Sequence, residues 1–380
     1  MRSIAIAAVL LLAATLLAGG CGKPRSLFQP SQEVEREVER FGPQEALARA
    51  QEYAELKKNA EAYDRLAQTL ALARRPEEAR KVLEKTISLE PTRLRPAVVL
   101  GRLLLAEEKP EDAARLMRGV LEKYPATPEA AEVLGRSLLK LKQADEAEKV
   151  LLEALKRNRK NAELHWTLAD TYTMKKQYDE ALAEYVKATR LQPENVSIIM
   201  AYTQTLMLKG DKEKAVEVAL QAVKVEPNSS AARFIAGNAL HEAGRDREAI
   251  AQYKEALMIN PRLFAAANNL AQILADLQMD TNSAVAWARK ALAAAPNSWA
   301  VADTLGWALA RDGQYAEALK ILRGLNQKTP NNPPVQYHLG WTLVKTGKRD
   351  EGLALVRKAA SSGRPDVAEL AKKALQELGG

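Results

Sequence analysis

The sequence predicts an all-α fold, an α-α superhelix of about nine helix pairs closed by a C-terminal capping helix. Three observations carry that prediction. Alanine and leucine dominate, phenylalanine is limited to four residues, and no stretch alternates apolar and polar with period two, which argues for helices and against sheet. Prolines recur at Pro91, Pro125, Pro193, Pro227, Pro261, Pro296 and Pro330, in steps of 34, 68, 34, 34, 35 and 34 residues, with Arg159 on the missing beat. An alanine recurs in phase with them, at Ala79, Ala113, Ala147, Ala181, Ala215, Ala249, Ala284 and Ala318, with Gly352 in a ninth unit. A repeat of this length marks a stack of supersecondary units, none of which can bury its apolar face alone.

Taken in order, residues 1–20 read as an export signal: Arg2, an apolar run from Ile4 to Ala18, then small residues. The one cysteine, Cys21, follows directly and resembles the lipidated cysteine of a bacterial lipobox. That family usually has leucine three places earlier; here Ala18 stands there, with Leu17 one step before. An ordinary cleaved signal or an uncleaved anchor is the other reading. With Gly22, not aspartate, after the cysteine, the resemblance implies an anchor in the outer membrane facing the periplasm. Residues 21–32 are a proline-rich, polar tether. Residues 33–59 carry two helical segments, the second with Ala46, Ala50 and Tyr53 on one face. The repeat array occupies residues 60–364, with units beginning near Ala60, Leu94, Pro128, Ala162, Val196, Ser230, Phe264, Trp299 and Pro333. Residues 365–380 form the cap, a helix with a polar outer face that closes the stack.

Within a unit each position has a physical reason. Twelve residues before the in-phase alanine stands another small residue in most units, as in the pair Gly306 and Ala318. Two such residues let antiparallel helices approach closely where a larger side chain would overpack. Thr203 breaks this pattern in the fifth unit, and Ala271 is displaced by a one-residue insertion near Gln278–Thr281. Gly210, Gly244, Gly313 and Gly347 mark turns between the paired helices, where left-handed backbone is expected. Pro76 and Pro110 open second helices, where a missing N–H costs little. This pattern resembles the tetratricopeptide repeat and implies a right-handed solenoid whose first helices line a concave face. Taken with the lipobox, the chain resembles a bacterial tetratricopeptide-repeat lipoprotein.

Signs of catalysis are lacking. His165, His241 and His338 lie in three different units without metal-ligand spacing, and no phosphate-binding glycine loop occurs. No cofactor and no metal is expected. The formal charge of +8 is spread among interspersed acids and bases with no isolated basic block, so nothing points to nucleic acid.

Binding is the expectation that remains. The family's contact positions are the second, fifth, ninth and twelfth residues of a unit. Carried over, they give a charged surface in the first three units: Glu61, Asp64, Gln68, Arg95, Arg102, Glu129, Glu132 and Arg136. Later units give Trp166, Asp170, Met200, Gln204, Met207, Phe234, Asn238, His241, Asn268, Gln272, Asp303, Trp307, Tyr337 and Trp341. Amides can bond an extended peptide backbone, aromatics supply contact area, and methionine adapts to varied shapes. Trp307 and Trp341 also suit packing against neighbouring helices. A carboxylate clamp of the kind some of these repeats carry is incomplete. Asn238 and Asn269 stand where its asparagines would, but Phe234, Ala300 and Thr304 replace its basic residues. The resemblance implies a non-catalytic scaffold or adaptor for protein partners, held at the membrane by its lipid and serving assembly or secretion of an envelope complex: pilus, exopolysaccharide or outer-membrane machinery. The alternative is a polysaccharide-binding or synthase-associated subunit of an exopolysaccharide or exosortase-linked export system, with exopolysaccharide as the ligand.

Overall fold

A computed structural model describes residues 31–379 apart from Thr92. The signal segment, Cys21 and the tether up to Pro30 lie outside the described residues. The described residues form twenty-one helices and no strand. Two precede the array, α1 (Gln32–Phe41) and α2 (Pro43–Lys57). The pairs that follow are α3 (Ala60–Leu72) with α4 (Pro76–Leu89), α5 (Leu94–Ala106) with α6 (Pro110–Lys123), α7 (Pro128–Lys140) with α8 (Ala144–Arg157), and α9 (Ala162–Met174) with α10 (Tyr178–Leu191). The fifth is α11 (Val196–Lys209) and α12 (Lys212–Val225). The sixth to ninth are α13 (Ser230–Glu242) with α14 (Asp246–Ile259), α15 (Phe264–Leu277) with α16 (Thr281–Ala294), α17 (Trp299–Arg311) with α18 (Tyr315–Lys328), and α19 (Pro333–Lys345) with α20 (Arg349–Ala360). A last helix, α21 (Pro365–Leu378), packs on both α19 and α20.

Local chemistry sets the helix ends. The first helices of six pairs start on a capping side chain whose oxygen accepts the backbone N–H three residues on: Asn59 from Ala62, Asn161 from Leu164, Asn195 from Ile198, Ser229 from Ala232, Ser298 from Val301, and Asn332 from Val335. Pro76, Pro110, Pro128, Pro333 and Pro365 occupy the first turn of their helices, where the absent N–H has no intrahelical partner to lose.

The paired helices meet as the small-residue pattern requires, with one refinement. Among the crossings that carry a described glycine, the two backbones themselves fill the space at Gly340 and Gly352: a Cβ on Gly340 would stand 2.7 Å from the Gly352 carbonyl oxygen. In other pairs the glycine makes room for a large side chain one turn beyond the in-phase alanine. A Cβ on Gly237 would sit 2.6 Å from the Tyr253 ring, and one on Gly306 would sit 2.7 Å from Leu322. The crossing is therefore a small-to-large fit, in which Tyr253 and Leu322 are fully buried.

The turns divide into two chemistries. Gly210, Gly244, Gly313 and Gly347 have φ of 80° to 88°, as their residue type allows. In the first four pairs the equivalent left-handed position is held by Arg74, Glu108, Lys142 and Lys176, with φ of 58° to 61°. No glycine announces those turns.

The described residues divide into two compact units, one of residues 31–209 and the other of residues 210–379. The boundary falls inside the fifth pair, the one whose first helix carries Thr203 at the crossing position. Within each unit some first helices of neighbouring pairs touch directly, as α7 does α9 and α15 does α17. Neighbouring second helices make no comparable contact among the described residues. That asymmetry puts the first helices on the inner side of each stack and the second helices on the outer side.

Candidate functional site

In the N-terminal unit the inner face is a ladder of ion pairs between successive first helices. Arg102 of α5 donates to Glu132 of α7 at 3.0 Å, Arg136 pairs with the same Glu132, and Arg136 reaches Glu163 of α9 at 3.5 Å. At the N-terminal end of this face, Ser31 donates its backbone N–H to the Gln68 side-chain oxygen at 2.9 Å, and Arg65 bonds Glu33 and Glu37 of α1. Gln68, expected to face a ligand, is thus held by the chain's own first described residue.

The ladder ends at Trp166 and Asp170, both on α9. The Arg136 guanidinium lies over the Trp166 ring, 4.4 Å from its centroid. Asp170 accepts the hydroxyl of Tyr185, which rises from α10 through the pair's crossing. Burial pushes the Asp170 carboxyl up, more than Arg136 and the hydrogen bonds pull it down, and its pKa stands at about 6. Trp166, Asp170, Gln204 and Met207 all keep partial exposure, while Met200 is buried. These residues form a strip that solvent reaches, with an aromatic face, an amide, a thioether and a carboxyl whose pKa burial raises.

The inner face of the C-terminal unit is built differently. Phe234, Asn238, His241, Asn268, Gln272, Asp303, Trp307, Tyr337 and Trp341 are all buried. Most of them bond one another or near neighbours. The Asn238 oxygen accepts from the Tyr253 hydroxyl at 2.7 Å and from the Asn269 amide at 3.0 Å. Gln272 donates to Asp276 at 3.0 Å, and the Trp307 indole N–H donates to the same carboxylate at 2.7 Å. Trp307 stacks on His338 at 4.5 Å and meets Trp341 edge-on at 5.2 Å. Arg311 stands 5.1 Å from both indole rings and donates to the Ala275 carbonyl. The aromatic and amide residues expected to face a groove here form a packed polar seam, and Trp307 and Trp341 do pack against neighbouring helices.

Asp276, Arg311 and Tyr185 were not among the positions singled out from the repeat register. Asp276 and Arg311 follow Gln272 and Trp307 by four residues, so they share a face with them by helical geometry. Tyr185 follows the in-phase Ala181 by four residues and occupies the space beside a small crossing residue, Ala169.

The three histidines each face a different carboxylate: His165 with Glu184 at 2.5 Å, His241 with Asp246 at 2.6 Å, and His338 with Asp303 at 3.0 Å. Among the described residues no group of three histidine, cysteine or acidic side chains is placed to hold a metal ion. No helix among them is long and apolar enough to cross a membrane.

Comparison with known proteins agrees with this architecture. Tetratricopeptide repeat profiles match residues 60–93, 104–171, 162–195 and 309–377, and a TPR repeat profile matches residues 237–278. No curated relative matches the chain. Among solved structures, the APC/C hetero-tetramer Cut9-Hcn1 is similar over 86% of this chain and 67% of its own, at 14% identity and a TM-score of 0.55. The thermophilic TPR protein TTC0263 from Thermus thermophilus covers 47% of this chain and 97% of its own, at 24% identity and a TM-score of 0.41. MamA from Desulfovibrio magneticus RS-1 covers 44% and 95%, at 24% identity and a TM-score of 0.39. By period, helix pairing and profile, the chain belongs to the tetratricopeptide repeat family.

Proposed function

We propose that the chain is a non-catalytic scaffold that binds a protein partner along the inner face of its N-terminal unit. The observation that carries this reading is the partly exposed strip of Trp166, Asp170, Gln204 and Met207 beside the Arg136–Glu132 pair. It combines residue types that anchor interfaces with groups that can bond a peptide backbone. The packed seam of the C-terminal unit acts in this reading as the rigid support of the array rather than as a groove.

The finer part of the proposal concerns place. Cys21 is lipidated, the anchor holds the repeats at the outer membrane facing the periplasm, and the scaffold serves an envelope assembly or secretion complex. The lipobox-like sequence Leu17–Cys21 supports it. Incorporation of labelled palmitate that Cys21→Ser abolishes is the expected result; equal labelling of both proteins removes the anchor from the account. For the partner, crosslinking and capture from cells should recover one specific envelope protein with the native chain. A Trp166→Ala/Gln204→Ala variant of unchanged helicity should lose it. Retention of that protein by the variant, or capture of exopolysaccharide in its place, counts against the reading.

A further inference from the structure

A cavity of about 510 Å³ opens on the N-terminal unit at a place the inner-face site does not use. Its apolar lining is aliphatic: Leu152 and Leu155 of α8, Leu168 of α9 and Leu191 of α10. The cavity therefore lies where the second helices of the third and fourth pairs flank α9, on the outer side of the stack. Leu155 and Leu168 are buried, but Leu152 and Leu191 remain 41% and 38% exposed at the rim. Leucines left uncovered at the mouth favour an occupant that continues past the floor, a chain segment rather than a small enclosed ligand.

Charge narrows the choice further. The one acid at the wall, Glu184, is already engaged: it meets His165 Nδ1 at 2.5 Å and Lys187 at 2.6 Å. His165 Nε2 meets the Arg159 carbonyl at 2.9 Å, so both ring nitrogens face acceptors and the imidazolium is the form that satisfies them. Burial opposes that charge, but Glu184 and the carbonyl outweigh it and raise the His165 pKa. This arrangement fixes the segment before α9 that carries Arg159. Arg159 and Arg190 are exposed at the mouth, and neither has an ion-pair partner among the described residues. Two uncompensated guanidinium groups over an aliphatic floor select carboxylates beside aliphatic side chains.

We propose that this cavity is a second docking site, on the outer side of the repeats, for an extended segment of a protein partner in which leucine-sized side chains stand beside acidic ones. The floor takes the aliphatic side chains, and Arg159 and Arg190 take the carboxylates. The site shares no residue with the inner-face strip, so it stands or falls separately from that reading.

The test is fluorescence anisotropy of the full chain with a fluorescein-labelled octapeptide of alternating leucine and glutamate. The expected result is saturable binding that weakens at least about tenfold in Arg159→Glu/Arg190→Glu and in Leu152→Asp, with Trp166→Ala unchanged. A leucine–glutamine octapeptide should bind at least about tenfold more weakly than the acidic one. All the changed side chains of the first two variants are exposed, so both should keep the native thermal melt, and each checks the other. The proposal is overturned if the acidic peptide does not bind, if neither outer-side variant changes binding, or if Trp166→Ala abolishes it. Binding of phosphatidylglycerol vesicles that depends on Arg159 and Arg190, without peptide binding, also overturns it and assigns the cavity to lipid.

Discussion

Asp170 shows how the crossing of two helices tunes the surface above it. Burial raises its carboxyl to about 6, against the pull of Arg136 and of the Tyr185 hydroxyl. A carboxyl raised in the fold contributes stability that is complete below its unfolded value near 4 and is lost as pH rises through about 6. Stability of the N-terminal unit should therefore fall between pH 4 and 7 by an amount that Asp170→Asn removes, read from denaturant midpoints across that range. Tyr185→Phe, which deletes one of the groups lowering the pKa, should move the carboxyl titration seen by NMR upward; a downward move contradicts the assignment. Glycine gives a second residue-scale contrast. Gly340→Ala forces a Cβ against the Gly352 carbonyl and should destabilise by about 1–3 kcal/mol. Gly324→Ala, inside α18 with nothing within 4 Å, should stabilise by about 0.5–1 kcal/mol. The close crossing at Gly340 was legible from the spacing of small residues. The Tyr185–Asp170 bond was not, because it joins residues fifteen apart on different helices and needs the pair folded before it exists.

At the scale of the element, the turns between paired helices fall into two chemistries: side-chain-bearing residues in the first four pairs and at Gln278 in the seventh, and glycine in the other four. Arg74, Glu108, Lys142 and Lys176 hold left-handed backbone that costs a side-chain-bearing residue about 1 kcal/mol or more. Lys142→Gly and Glu108→Gly should each raise the thermal midpoint, by about 1 kcal/mol of stability at most, since glycine also frees the unfolded chain. Gly313→Ala should cost about 1 kcal/mol, since its φ of 84° suits glycine. Calorimetry of the three variants checks both signs at once. The turns at Gly210, Gly244, Gly313 and Gly347 could be read from their glycines, whereas those of the first four pairs and of the seventh had to be placed by period. The helix starts were more legible where Asn59, Asn161, Ser229, Ser298 and Asn332 stand as capping residues before the apolar run. The inner face was half legible. Repeat register identified which residues point inward, but burial of Asn238, Asn268 and Trp307 follows from how tightly α13, α15, α17 and α19 close together, which register does not contain.

At the scale of the molecule, a repeat array is held by contacts between neighbours, so its ends and its interior differ in stability. The last helix, α21, buries Val367, Ala371 and Ala374 against the final pair. Removing residues 365–380 should expose that surface, and hydrogen exchange should then quicken in α19 and α20 while the N-terminal unit keeps its protection. In the proposed reading the two inner faces have different duties. A sealed aromatic and amide seam suits support, and a partly open strip around Trp166 suits capture. The most direct test of that division places a photocrosslinking amino acid at Gln204, on the inner face, and separately at Glu255, exposed on α14. The account predicts that irradiation in cells joins a single partner to the chain carrying the label at 204 and joins none at 255. Crosslinks to the same partner from 255 but not from 204 would contradict it.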